Sequence, residues 1–413
     1  MKQNQTTYWL SILPSTFIFE GDKYVLFYDT DFKKKIITKK TNNIEKIIKK
    51  IQNINQLYCV LINQKDLEQS DIKDWIKQMS NNYMAELYPA ICSKPVTIPP
   101  IMKCHEELRG DINESNILVL LNELTFHING LCSQKCDLCS KYKKQFNCCY
   151  KNQGELPLEA IKNILNSILY TTPSLKINFN GGNIFLYSQI MDLLEYLKQN
   201  QLKSNIYLHY INWNENYYQD IYSCNIYLHI FVNFPIQVDF LKILISHNKE
   251  LDKRIKFNFI ITSEEEIETL QIIINQFKIE NYSVLPFYDG TNQPFFEKYV
   301  YIGENEIQEE SPSKKDIYKR QKFNMNDMGK LSISSDGKYF SNLNFQSLGS
   351  IDDNICSIIQ KEWKEGKAWK RTRNQKPCTE CIYQYICPSP SNYDLILNKI
   401  DLCQDEIKYK SSI

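Results

Sequence analysis

Apolar and polar residues alternate with period two over "LTFHI", "LKINF", "NIYLHYI", "NIYLHIFV", "IKFNFII" and "SVLPFY", all between residues 124 and 288. That period marks strands with one apolar face. Between them the spacing turns helical, in "LPLEAIKNILNSILY", "YSQIMDLLEYLKQN", "NYYQDIY", "VDFLKILISHN" and "SEEEIETLQIIINQFKIE". Ser263 followed by three glutamates suits a helix start by capping and by the helix dipole. Strand alternating with helix predicts a parallel α/β sheet, either doubly wound or curved into a partial barrel. In both, ligands gather at the carboxyl ends of the strands.

The pattern differs on either side. Toward the amino end, "STFIF", "KYVLFY" and "KKIIT" predict a small three-stranded unit. It is backed by the helices "NIEKIIKKIQNI" and "SDIKDWIKQMSNNY", which flank the apolar strand "LYCVLI". Pro95, Pro99 and Pro100 then mark a linker. Beyond a polar linker around "ENEIQEESPSKKD", the run "KLSISSDGKYFSN" predicts a hairpin turning at Asp336-Gly337, followed by the helix "ICSIIQKEWKEGKAW". The chain carries no internal repeat.

With 413 residues there is room for two or three domains. A formal net charge of +1 gives no reason to expect nucleic acid or a membrane surface as partner. No apolar run approaches the ~20 residues that span a bilayer, and the first residues lack a secretory pattern. The expected location is therefore cytoplasmic, where fourteen cysteines are better metal-ligand candidates than disulfide candidates.

Seven of those cysteines fall into two groups. "HINGLCSQKCDLCSKY" places Cys132, Cys136 and Cys139 at C-x3-C-x2-C, just past the carboxyl end of the first strand of the sheet. Three thiolates around one loop suit a 4Fe–4S cube with one iron left open. Zinc with His127 or Cys148 as fourth ligand is the competing reading. Near the other end, Cys378, Cys381, Cys387 and Cys403 give C-x2-C-x5-C-x15-C, a set that satisfies zinc or a fully ligated 4Fe–4S cluster equally. After the second strand comes "INFNGGN", whose Gly181 and Gly182 let a backbone approach a ligand without Cβ obstruction.

The triad after the first strand and the Gly-Gly turn after the second resemble the radical S-adenosylmethionine (radical SAM) superfamily. The carboxy-terminal group resembles its SPASM extension. The resemblance covers most of the chain from about Leu124 onward and implies a partial (β/α)6 barrel. A SPASM-type iron–sulfur domain would follow it, and a winged-helix-like α+β domain that grips a leader peptide would precede it. The implied limits are residues 1–95 for leader recognition, 120–290 for the radical SAM core and 325–413 for the auxiliary domain. In this family the open iron binds the methionine end of SAM, and reduction releases methionine and a 5′-deoxyadenosyl radical. Gly181, Gly182 and Asn183 would line that methionine end, although the family favours Glu and Pro where this chain has Asn183 and Ile184. Leu138 stands where the family commonly has an aromatic residue beside the adenine.

A full SPASM domain carries two auxiliary clusters. Here Ser341, Asn342 and Ser391 occupy places where ligands of one would fall, while the four for the other remain. The resemblance therefore implies one reactive and one auxiliary 4Fe–4S cluster, about eight irons per chain. The implied activity is maturation of a ribosomally made precursor peptide, with a small flavodoxin- or ferredoxin-type protein as electron donor. A non-catalytic scaffold of the same fold, binding a peptide or a partner maturase, is the alternative. No residue stands out as a general base or radical quencher. Asn212, after the third strand, could be offered to the cofactor but reads first as a polar loop residue, and His209 and His229 read as core or rim histidines of strands.

Overall fold

Residues 7–100, 114–132, 139–148, 152–250 and 254–404 are described by a computed structural model. The chain begins with β1 (Thr7–Ile12), β2 (Thr16–Glu20), β3 (Tyr24–Asp29), β4 (Lys35–Lys39), β5 (Cys59–Asn63) and β6 (Ala85–Pro89). The expected three-stranded sheet is β2-β3-β4, but "LYCVLI" stands in a second antiparallel sheet, β5-β1-β6, whose other strands were not foreseen. Helix Asn42–Ile51 begins where Thr41 accepts the Ile44 N–H. It buries Ile44, Ile47, Ile48 and Ile51, the one-sided stripe of an amphipathic helix. Those isoleucines share a core with Val25 and Phe27 of one sheet and Leu10 and Val60 of the other.

The next six strands are β7 (Glu123–Asn129), β8 (Lys176–Gly181), β9 (Ser204–His209), β10 (Ile226–Asn233), β11 (Ile255–Ile261) and β12 (Tyr282–Pro286). Each pairs in parallel with its sequence neighbour. Among these six the strand order runs in one direction, with no switch point of the doubly wound kind between them. Phe126, Phe179, Ile206, Leu228 and Phe257 point to the helix-covered face and form one core with Ile161, Leu193 and Leu270 of the crossover helices. Helices gathered on one face are what a singly wound barrel segment requires. The alternate residues, Thr125, His127, Asn178, Asn180, His209 and Asn258, are buried and polar. This second face is where the sheet can receive a polar ligand.

β13 (Lys330–Ile333), β14 (Lys338–Phe340) and β15 (Gly349–Ser350) follow. The hairpin turns at Gly337, whose φ of 77° explains the glycine. Its first strand also adds in parallel to β7, extending the sheet to nine strands. The stretch read as a polar linker forms two short helices, Glu304–Glu309 and Lys314–Arg320, because Ile307 and Ile317 are buried.

Those two isoleucines join the ends of the chain. Phe17, Phe19, Leu26 and Tyr28 pack against them and against Ile382, Tyr383 and Ile386 of the carboxy-terminal cysteine segment. The β2-β3-β4 sheet is thus covered on both faces, with the Tyr28 hydroxyl donating to Pro312 O at 2.7 Å. No described helix is long and apolar enough to cross a membrane.

Candidate functional site

β7 delivers the chain to the triad loop. Asn129, its last residue, governs the geometry there. Asn129 Nδ2 donates to Asn183 O (2.8 Å), and Asn129 Oδ1 accepts the Gly182 N–H (3.1 Å). The Asn183 N–H donates to Leu131 O at 2.5 Å. The loop that begins the triad and the glycine turn after β8 are therefore zipped together. A Cβ on Gly182 would lie 2.1 Å from Leu131 O, and one on Gly181 would lie 2.6 Å from Asn129 Oδ1. The close approach these glycines permit is to the triad loop itself, a neighbour the sequence did not identify.

Of the predicted ligands, Cys132 and Cys139 are half-buried, and Cys139 opens helix Cys139–Gln145. Cys136 and Leu138 lie outside the described residues. Asn183 Oδ1 accepts the Phe185 N–H (3.1 Å), capping a short helical turn and leaving one lone pair.

Asn212 has a larger place than its sequence context implied. It follows β9, is 4% exposed, and donates its Nδ2 to Cys132 Sγ at 3.6 Å. Its Oδ1 is buried with no hydrogen-bond partner among the described residues. Buried amide oxygens are almost always paired. An acceptor without a partner among the described residues, beside a triad thiol, fits a site that receives a hydrogen-bond donor from a bound group.

The polar face below is organised by strand register. Asn180 Nδ2 donates to Asn147 Oδ1 (2.9 Å) and Cys148 O (2.8 Å), holding the segment after the triad helix across the sheet. Cys148 and Phe146 pack there on Tyr207, Phe231, Ile260 and Phe287. His209 Nε2 meets Asn233 Oδ1 at 2.6 Å, while His229 stacks on Tyr207 at 4.4 Å. Burial, reinforced by Lys176 and Lys256, pushes the His229 imidazole down to about 4. The unfolded chain takes up this proton near its ordinary value of about 6.5, so stability is full above that pH and falls as pH drops toward 4. Thermal unfolding at about pH 7 and about pH 5 should show a loss in the native chain that His229→Phe reduces. Equal losses in both would refute the assignment.

The carboxy-terminal thiols come from three segments. Cys378 and Cys381 flank a turn closed by Cys381 N–H to Cys378 O (3.1 Å). Cys387 follows the buried Tyr383 and Ile386, and Cys403 is carried on a bridge to Ile302. Burial pushes the Cys387 thiol up to about 11, with Cys378 adding to the rise and Arg373 opposing it. Burial likewise raises Cys403, which also feels Cys387 and Cys381. Cys387 thus feels both Cys378 and Cys403, and Cys403 feels Cys381. Even so, no three His, Cys, Asp or Glu side chains among the described residues converge as a single metal ion requires.

Positions that the resemblance would fill with further cysteines hold a polar network instead. Asn342 Nδ2 donates to Asp327 Oδ1 (2.9 Å) and Asn392 Oδ1 (2.8 Å), and Asp327 pairs with Arg371 at 3.3 Å. Ser391 caps the helix Asn392–Ile396, and Ser341 is buried. A cleft of about 570 Å³ opens where the triad helix meets the loop after β12 and the carboxy-terminal unit. Lys141, Gln145, Tyr288, Asn344 and Leu395 line it.

No family model and no curated protein matches the chain. Solved structures do. The crystal structure of Streptococcus suis SuiB is similar over 96% of this chain and 99% of that one, with a TM-score of 0.51 and 12% identity. SuiB bound to its precursor peptide SuiA is similar over 98% of this chain and 100% of that one, with a TM-score of 0.52 and 12% identity. The fold resembles that of SuiB. At such identity the likeness extends to the fold alone, end to end.

Asn129 and Arg373 escaped the sequence reading. Asn129 sits in plain view in "HINGLC", but its partners lie 53 and 54 residues away. Arg373 precedes the first cysteine of its group in a run of basic residues that looks like solvated surface.

Proposed function

We propose that this chain is a radical SAM enzyme that matures a ribosomally made precursor peptide. The observation carrying the reading is the Cys132 thiol at the carboxyl end of β7. There it is hydrogen-bonded by Asn212, and its loop is stitched to the Gly181–Asn183 turn. A 4Fe–4S cluster on Cys132, Cys136 and Cys139 would supply one electron to the sulfonium of SAM, releasing methionine and a 5′-deoxyadenosyl radical that takes a hydrogen atom from the peptide.

The chain's own residues prepare that event. Asn212 Oδ1 and the spare lone pair of Asn183 are acceptors for the methionine ammonium. The glycine turn holds the triad loop at fixed distance from β8. Phe146, Cys148, Phe231 and Phe287 keep water from the polar face beneath, which protects a radical from quenching. Cys378, Cys381, Cys387 and Cys403 would carry the auxiliary cluster, as electron conduit or staple. A flavodoxin- or ferredoxin-type donor would feed the electrons.

A peptide substrate is supported by the fold shared with SuiB, crystallised with its precursor peptide, and by the cleft beside the triad helix. The amino-terminal unit supplies a docking edge for a leader. β4 pairs only with β3, so its other edge is open to strand addition among the described residues. Co-expression with a short precursor encoded beside this chain, followed by mass spectrometry, should give a peptide mass changed from the genetic one. Anaerobic reduction with SAM should yield methionine and 5′-deoxyadenosine. An unaltered peptide together with intact SAM would favour the scaffold instead.

A further inference from the structure

Arg373 is 7% exposed and reaches every stretch that carries one of the four carboxy-terminal thiols. Its Nε donates to Pro388 O at 2.8 Å, directly after Cys387. Its Nη1 donates to Ile400 O at 3.2 Å, shortly before Cys403. The guanidinium also lies within electrostatic reach of the Cys378 thiol. Gln384, between Cys381 and Cys387, donates to the Arg373 carbonyl at 2.7 Å.

Burying a guanidinium is costly unless charge and hydrogen bonds compensate it. The carboxylate that faces Arg373 is Asp394, at 3.4 Å. Asp394 is shared, because its other oxygen accepts the Ser391 N–H (2.7 Å) and hydroxyl (2.9 Å). Arg320 approaches the same segment through Ile386 O, yet its charge is matched by Glu310 at 3.2 Å. A centre that gathers four thiolates concentrates negative charge in a poorly solvated place, where a fixed cation acts strongly. Arg373 is the cation positioned to answer it.

We propose that Arg373 is the counter-cation and positioning residue of the Cys378, Cys381, Cys387 and Cys403 centre, holding its ligand segments in register and raising the reduction potential of an iron–sulfur cluster bound there. Reduction adds a negative charge, so a nearby cation favours the reduced form. The inference rests on reading the centre as a cluster.

The test uses the full chain with Cys132, Cys136 and Cys139 all changed to alanine, so that the auxiliary centre alone reports. Potentiometric titration followed by electron paramagnetic resonance is run on this background with Arg373→Gln, Arg373→Lys and Asp394→Asn. Arg373→Gln should move the midpoint to more negative potential. Arg373→Lys should restore part of the shift, since it keeps the charge while losing the fork. Asp394→Asn should move the midpoint the opposite way, and it decides the matter if Arg373→Gln cannot hold iron. Midpoints unmoved in Arg373→Gln, or in Asp394→Asn where it must decide, would overturn the role of Arg373 and leave the cluster standing. A background chain that binds zinc without iron or sulfide would overturn both.

Discussion

Changing Cys132, Cys136 or Cys139 to alanine should abolish reductive cleavage of SAM, lowering methionine and 5′-deoxyadenosine formation at least ~1000-fold, equivalent to a barrier about 4 kcal/mol higher. The effect is all-or-none because, on this reading, each thiolate would anchor one corner of the reactive group. His127 and Cys148 are the nearby donors that a zinc reading would recruit. His127 projects from β7 on the buried polar face, and Cys148 packs among Tyr207, Phe231 and Phe287. Iron content separates loss of chemistry from loss of fold. Each variant should retain about four of the about eight irons, because the carboxy-terminal centre is assembled from different segments. Full SAM cleavage in any of the three variants would sink the proposed enzyme, and so would zinc in place of the missing iron.

Much of this architecture was legible because strand alternation survives wherever one face meets helices and the other carries buried polar side chains. "LTFHI" and "IKFNFII" became β7 and β11 nearly residue for residue. The helix at Ser263 begins as read, with its hydroxyl accepting the Glu266 N–H at 3.3 Å. What escaped was thinly encoded or remote. β6 is an edge strand that buries only Ala85 fully, so "AELYP" carries almost no apolar signal. The helix Glu304–Glu309 places a single residue, Ile307, in the core, which left "ENEIQEE" looking like a linker. The addition of β13 to β7 joins residues some 200 positions apart, and no local pattern encodes such a pairing. At the site, the cysteine spacings point to a kind of chemistry, while Asn129, Asn212 and Arg373 act through partners that only folding brings near.

The Gly-Gly turn offers the sharpest test of that last distinction. Gly182→Ala should leave the protein folded but unable to hold the triad cluster, with iron falling from about eight to about four per chain. The added methyl would meet Leu131 O at 2.1 Å and Leu131 C at 2.6 Å, both backbone atoms that no rotamer change can move. Relief requires the triad loop to withdraw from β8. That breaks the Asn183 N–H to Leu131 O bond and the two bonds that the Asn129 side chain makes to the turn. At about 1 kcal/mol net each, three lost bonds far exceed what one methyl gains by burial. Asn183→Ala is the comparison. It removes the cap on Phe185 N–H, a loss of about 1 kcal/mol, but it keeps the backbone bonds, so both clusters should remain and any defect should appear in SAM affinity. The ordinary reading of such a turn, in which the glycines face a ligand, predicts the reverse for Gly182→Ala: full iron with weakened SAM binding. Iron analysis beside SAM titration separates the two, and a Gly182→Ala chain holding its whole complement of iron would show that the turn does not brace the triad loop.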